Sequence, residues 1–188
     1  SIESYILKND ISTGTEYIKS FSDLMRLSLE YSRSNQISFR NEISFLKTYL
    51  RIEQLRFPKR FRCQIIVDSS VSHKKLRIPP LLLQPIIENA IKHAFNDKTT
   101  DGIILVTFKL VDELLICHVY DNGVGIGNKP KMKASKRKSY GLKVVRERLK
   151  HLDDSGNVTV LEYINRGAMS QQKRGTKVTI RIPVYDLE

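Results

Sequence analysis

Four segments of the chain carry side chains able to hold a phosphorylated ligand. The first is Gln84 to His93, QPIIENAIKH. On a helix, Asn89, Lys92 and His93 share one face at spacings of three and four. An amide, an ammonium and an imidazole together could hold Mg²⁺ and phosphate oxygens. A solvated helix face is the commoner use of such residues. The second segment is Asp121 to Gly127, DNGVGIG, directly after a β-prone run. Gly123, Gly125 and Gly127 let backbone approach a flat ligand closely. Asp121, at the strand end, could accept a hydrogen bond from an exocyclic amine. No Gly-Lys-Ser/Thr follows, so this is no Walker loop. Nor does it match a G-x-G-x-x-G dinucleotide turn. A flexible hairpin loop is the plain alternative.

The third segment, Lys129 to Lys150, is strongly basic, with Glu147 its one acid. Nucleic acid is one target for such charge, but Tyr140 is the only aromatic side chain here to stack on bases. A lid over a polyphosphate fits at least as well. Gly141 opens a predicted helix whose backbone N–H groups would meet an anion. The fourth, Arg174 to Ile180, places Thr176 at the start of an amphipathic strand, where its hydroxyl could reach a ligand; a plain strand start explains it equally.

The surrounding elements must bring these segments together. In residues 1–57, Ile18, Phe21, Leu24, Met25, Ser28 and Tyr31 recur on one helical face. After a polar break at Ser32 to Gln36, Ser38 can cap a second helix. Its inner face is Ile43, Leu46, Tyr49 and Leu50, and Pro58 ends it. The pair forms a helical hairpin, either half of a dimer interface or a cover for the rest.

Residues 58–188 alternate. Strands are expected at Phe61 to Val67, Ile103 to Leu110, Leu114 to Tyr120, Asn157 to Ile164 and Gly175 to Ile182. Leu76 to Ile78 is a short extended piece. Helices are expected at Leu81 to Phe95 and Tyr140 to Leu152. Antiparallel strands with helices on one face make an α+β, two-layer sandwich.

Composition limits what this fold does. The 188 residues are 40% hydrophobic and 28% charged, with a net charge of +12. That composition suits a globular chain with a real core and acidic partners. Cys63 and Cys117 lie in apolar stretches, form no C-x-x-C pair for zinc, and read as buried free thiols. No apolar run reaches the roughly 18–20 residues of a membrane span.

The order and spacing of the four segments resemble the N, G1, G2 and G3 boxes of the GHKL nucleotide-binding superfamily, whose fold is the Bergerat sandwich. Leu46 to Phe57 (LKTYLRIEQLRF), Ile78 to Ala94 (IPPLLLQPIIENAIKHA) and Gly141 to Leu149 (GLKVVRERL) look like LytS/YehU-type sensor histidine kinases. This resemblance implies ATP and Mg²⁺ as cofactors. It makes Asn89 the Mg²⁺ ligand and puts Lys92 and His93 near the phosphates. Asp121 would bind the adenine amine, with Gly123, Gly125, Ile126 and Gly127 in the glycine loop at the base pocket. Gly141 and Leu142 would lie where the lid meets the triphosphate, and Thr176 would help order a water beside the adenine. Ser139 and Arg174 stand where the family commonly has glycine.

Hydrolysing members of the superfamily, such as gyrase, carry a catalytic glutamate four residues before the asparagine. Here that position is Pro85, which cannot take a proton. The resemblance therefore implies phosphoryl transfer to a histidine. None of His73, His93, His118 and His151 sits in the family's acceptor motif, which is expected upstream of Ser1. It further implies a homodimer, a response regulator as partner, and a cytoplasmic location beside an inner membrane reached through upstream segments. Two alternatives are a degenerate, non-catalytic nucleotide-binding module and, ranked lower, a basic nucleic-acid-binding domain.

Overall fold

A computed structural model describes residues 10–72, 75–95, 101–125, 145, 162–165 and 175–184. Two long helices come first, α1 (Ile11–Ser32) and α2 (Phe39–Arg56). Asp10 caps α1 by accepting from the Thr13 N–H. Ser38 caps α2 as expected, accepting from Asn41 N–H at 3.1 Å. Glu16 bonds Arg51 at one end of the pair, and the Tyr31 and Phe45 rings meet toward the other. The two helices therefore run antiparallel.

The expected inner face of α2 is buried throughout. That of α1 is split: Tyr31 is buried and Leu24 packs inward, but Ile18, Phe21 and Met25 are each about half exposed. One neighbouring helix covers only part of an apolar stripe this wide.

Between the helices, Ile37–Ser38 (β1) pairs antiparallel with Arg77–Ile78 (β3), which falls in the expected extended piece; β1 is too short for periodicity to announce. Among the described residues the main sheet has five strands: β2 (Phe61–Val67), β4 (Gly102–Val111), β5 (Leu114–Asp121), β6 (Glu162–Asn165) and β7 (Thr176–Pro183). Their order is β2-β4-β5-β7-β6. β4 and β5 form a hairpin whose two-residue turn holds Asp112 at φ 54°.

The expectation of an all-antiparallel sheet fails at one edge. β2 runs parallel to β4, with Phe61 opposite Gly102 and Val67 opposite Phe108. The chain between them passes through the short helix α3 (Ser69–Ser72), β3 and helix α4 (Gln84–Ala94), a crossover that returns it in the same direction.

One hydrophobic core joins the layers. Ile104, Val106, Phe108, Leu115, Cys117 and Val119 line one sheet face. Against them lie Leu46, Tyr49 and Leu50 of α2, and Ile86, Ile87 and Ile91 of α4. Phe39 meets Phe108 edge-on at 5.0 Å. Val145, helical and buried, joins the same core from the expected Tyr140 to Leu152 helix. The fold is thus an α+β two-layer sandwich carrying an N-terminal helical hairpin.

α4 is shorter than the expected Leu81 to Phe95 helix. Leu81 has φ 56°, outside the helical region, and Leu82 and Leu83 precede the first turn. The cause is a side chain from far away. Glu42 of α2 is completely buried, and its carboxylate accepts from the N–H groups of Leu81, Leu82 and Leu83 at 2.9, 3.1 and 3.2 Å.

Candidate functional site

Of the residues singled out in the sequence, Asp121, Gly123 and Thr176 gather where β5, β7 and the end of α4 meet. Asp121 closes β5 and is buried. Its Oδ1 accepts from the Gly123 N–H at 3.0 Å and from the Thr176 N–H at 3.2 Å. The Thr176 side chain adds a further hydrogen bond to the carboxylate. Burial raises the Asp121 carboxyl above its ordinary value, and these three hydrogen bonds pull it partly back. The result is a fixed, poorly solvated carboxylate, suited to recognising a neutral amine.

Two glycines make this placement possible. Gly175 has φ 131°, and a Cβ there would sit 2.0 Å from the Asp121 carbonyl oxygen. A Cβ on Gly123 would lie 2.4 Å from the Ala94 carbonyl oxygen. Val124 N–H donates to that same Ala94 oxygen at 3.1 Å. The glycine loop therefore sits directly on the C-terminal end of α4, and only residues without a side chain fit the contact. Asn122 anchors the loop on its other flank: its Oδ1 accepts from Ile103 N–H at 2.7 Å, and its amide donates to the Asp101 carbonyl.

Asn89 lies on α4 five residues before Ala94, roughly 7.5 Å along the helix axis. Its neighbours Ile86, Ile87, Ala90 and Ile91 are buried against the sheet, and Asn89 itself is half-buried. Lys92 is exposed and pairs with Glu88 one turn earlier. An exposed pair of this spacing contributes little to stability, so the ammonium can exchange that partner for an anion at small cost.

The helix is secured at its C-terminal end too. The Arg60 guanidinium donates to the Phe95 carbonyl at 2.7 Å and lies over the Phe57 ring, while Phe61 stacks on Phe95. Gly125 is buried with φ 77°. The His93 side chain, Ile126, Gly127, Ser139, Gly141, Leu142 and Arg174 lie outside the described residues. His118 is in β5, with Nδ1 3.0 Å from the Thr179 hydroxyl across the strand pair.

Sequence reasoning missed Glu42 and Arg60. A detectable sign of the first was present: Glu42 stands on the apolar face of α2, and Leu83 gives α4 no side-chain cap.

The donor set fits a magnesium nucleotide in kind. A desolvated carboxylate faces the glycine loop at one end of the site. At the other, the half-buried Asn89 carboxamide carries an oxygen of the hard kind that Mg²⁺ would prefer.

Comparison with known proteins gives these features a family. Residues 79–186 match the model of histidine kinase-, DNA gyrase B-, and HSP90-like ATPases, and residues 1–61 match a histidine kinase model. The chain belongs to the family of histidine kinase-, DNA gyrase B- and HSP90-like ATPases. Among its relatives are the sensor protein LytS of Staphylococcus haemolyticus, 38% identical over 65% of this chain, and LytS of Streptococcus agalactiae, 31% identical over 96% of it. The chain spans 21% and 30% of the length of those two relatives and corresponds to the ATP-binding catalytic part of a sensor histidine kinase.

Solved structures agree on the fold. The histidine kinase domain of a blue-light-activated kinase from Erythrobacter litoralis superposes with a TM-score of 0.56 at 16% identity, covering 95% of this chain and 82% of that one. The Acinetobacter baumannii histidine kinase AdeS gives 0.55 at 17% identity, covering 94% and 81%.

Proposed function

We propose that the protein containing this chain transfers the γ-phosphoryl group of magnesium ATP to a histidine imidazole, and that Asp121, Asn89 and the glycine loop bind the nucleotide. The observation that carries this reading is Asp121. It is a buried carboxylate fixed by two backbone N–H groups at a strand end, against the helix that bears Asn89.

Asp121 accepts from the adenine amine. Gly123, Gly125, Ile126 and Gly127 shape the base pocket, and Thr176, already bonded to Asp121, orders water beside the base. Asn89 ligates Mg²⁺, Lys92 and His93 lie near the phosphates, and Gly141 and Leu142 close over them. Bound Mg²⁺ supplies charge neutralisation on the phosphates. The chain's own residues position the nucleotide and exclude water.

Pro85 occupies the place of the general base used by hydrolysing relatives, and it has no proton acceptor to offer. Transfer to another group is favoured over hydrolysis. His118 is held within the sheet by Thr179, which argues against it as the acceptor. The acceptor histidine lies upstream of Ser1. Residues 1–57 continue the dimerisation and phosphoacceptor region, and 58–188 form the catalytic domain.

The half-exposed stripe Ile18, Phe21 and Met25 supports a homodimer built on α1. A response regulator receives the phosphoryl group. The catalytic part works at the cytoplasmic side of a membrane, reached through segments outside this chain; no helix among the described residues is long and apolar enough to cross one.

Calorimetry with a non-hydrolysable ATP analogue tests the reading. Binding that strengthens with Mg²⁺, and no phosphohistidine on the isolated chain with ATP, are the expected results. Absence of binding at millimolar analogue would favour a degenerate module instead.

A further inference from the structure

We propose that Glu42 is a positioning residue for the magnesium–nucleotide site, holding the start of α4 and, through it, Asn89. The proposal rests on the functional reading above and adds a residue to it. Glu42 lies on α2 among Phe39, Ile43 and Leu46 and is completely buried. A carboxylate is costly there unless its oxygens are well satisfied. They are: Oε2 accepts from Leu81 N–H, and Oε1 from both Leu82 and Leu83 N–H.

These donors lie at the entry to α4: Leu83 is its N-cap residue, and Leu81 and Leu82 are the two residues that lead into it. Leu83 at the N-cap offers no oxygen, and the proline in the first turn offers no N–H. The negative charge also meets the positive end of the helix dipole. To aim the N–H groups at one carboxylate the backbone holds Leu81 at φ 56°, a conformation unfavourable to leucine.

A local serine or aspartate would cap α4 at less cost. The cap used comes instead from the helical pair, some forty residues earlier, so the start of α4 follows any displacement of α2. The other end of α4 is fixed independently, by Arg60 on the Phe95 carbonyl and by Val124 on Ala94. Asn89 sits between the two anchorages. Asp121 and the glycine loop belong to the second one. Loss of Glu42 should therefore disturb the metal end of the nucleotide and spare the adenine end.

The test compares wild type with E42Q and E42A in the full chain. For each, the affinity of a non-hydrolysable ATP analogue is measured with and without Mg²⁺, together with thermal stability and amide exchange at Leu81 to Leu83. A positioning role predicts that the Mg²⁺-dependent gain in affinity falls about tenfold in E42Q, since 1.4 kcal/mol corresponds to tenfold. Affinity without Mg²⁺ should stay within about twofold. In an Asn89→Ala background E42Q should change the gain no further, because the two residues act in series.

Faster exchange and a lower melting temperature with an unchanged Mg²⁺ gain would assign Glu42 to stability alone and overturn the proposal. Should E42A fail to fold, E42Q, which keeps shape, and E42D, which keeps charge, decide the same comparison. A wild-type chain with no Mg²⁺-dependent gain overturns the functional reading, and this proposal with it. Failure confined to the variants leaves that reading intact.

Discussion

At the scale of single residues, the adenine-binding role proposed for Asp121 sets binding against stability. Burial raises its carboxyl above the ordinary 3.8. The folded chain therefore keeps that proton to higher pH than the unfolded chain does. Between 3.8 and the raised value, stability attributable to Asp121 falls as pH rises, and above it the ionised form persists at a cost. Binding runs the other way, because an amine donates to the ionised carboxylate. Asp121→Asn should weaken ATP-analogue binding by tenfold or more, about 1.4 kcal/mol, without lowering the melting temperature. Acidification from neutral pH should weaken the wild type at a higher pH than an ordinary aspartate would, and leave the Asn variant's residual affinity flat. Calorimetry across pH on both proteins checks this. The thiols give a second residue-scale expectation. Burial pushes Cys63 up to about 12 and Cys117 higher still, and Cys117 is fully enclosed. Neither should react with a disulfide reagent in the native chain, while both should react at once in denaturant.

Among the elements, what the sequence disclosed depended on where the partner groups lay. α2 could be placed from its apolar spacing and Ser38. The β4–β5 hairpin could be placed from the two β-prone runs on either side of Val111 to Glu113. In both cases the determinants are local. Ser38→Ala should cost about 1 kcal/mol in urea unfolding, with the m-value unchanged. Asp121, Asn89 and Thr176 could be singled out for the same reason, each lying inside a short recognisable stretch. The start of α4 was misplaced because Leu81 to Leu83 satisfies any apolar helix pattern, whereas the competing acceptors sit on Glu42, invisible to periodicity. The direction of β2 was missed on similar grounds. A seven-residue run such as Phe61 to Val67 is β-prone in either direction, and the crossover that fixes its sense is a property of the whole path.

On the scale of the whole molecule, α1 stands out as incompletely covered. Ile18, Phe21 and Met25 are half exposed, and Ile11 and Leu29 more so, on a helix that otherwise packs on α2. The homodimer reading predicts that Ile18→Glu with Met25→Glu yields a monomer by light scattering, while analogue affinity stays within about twofold; dimers that survive both charges would contradict it. The edge position of β2 carries a different consequence, one of timing. Among the described residues its sole neighbour in the sheet is β4, whose residues are made roughly forty positions later. During synthesis the apolar side chains of β2 emerge well before anything exists to pair with them. The nascent chain therefore passes through an interval with a bare, sticky ribbon behind two finished helices. Cells depleted of ribosome-associated chaperones should lose this protein to aggregates at that stage of translation.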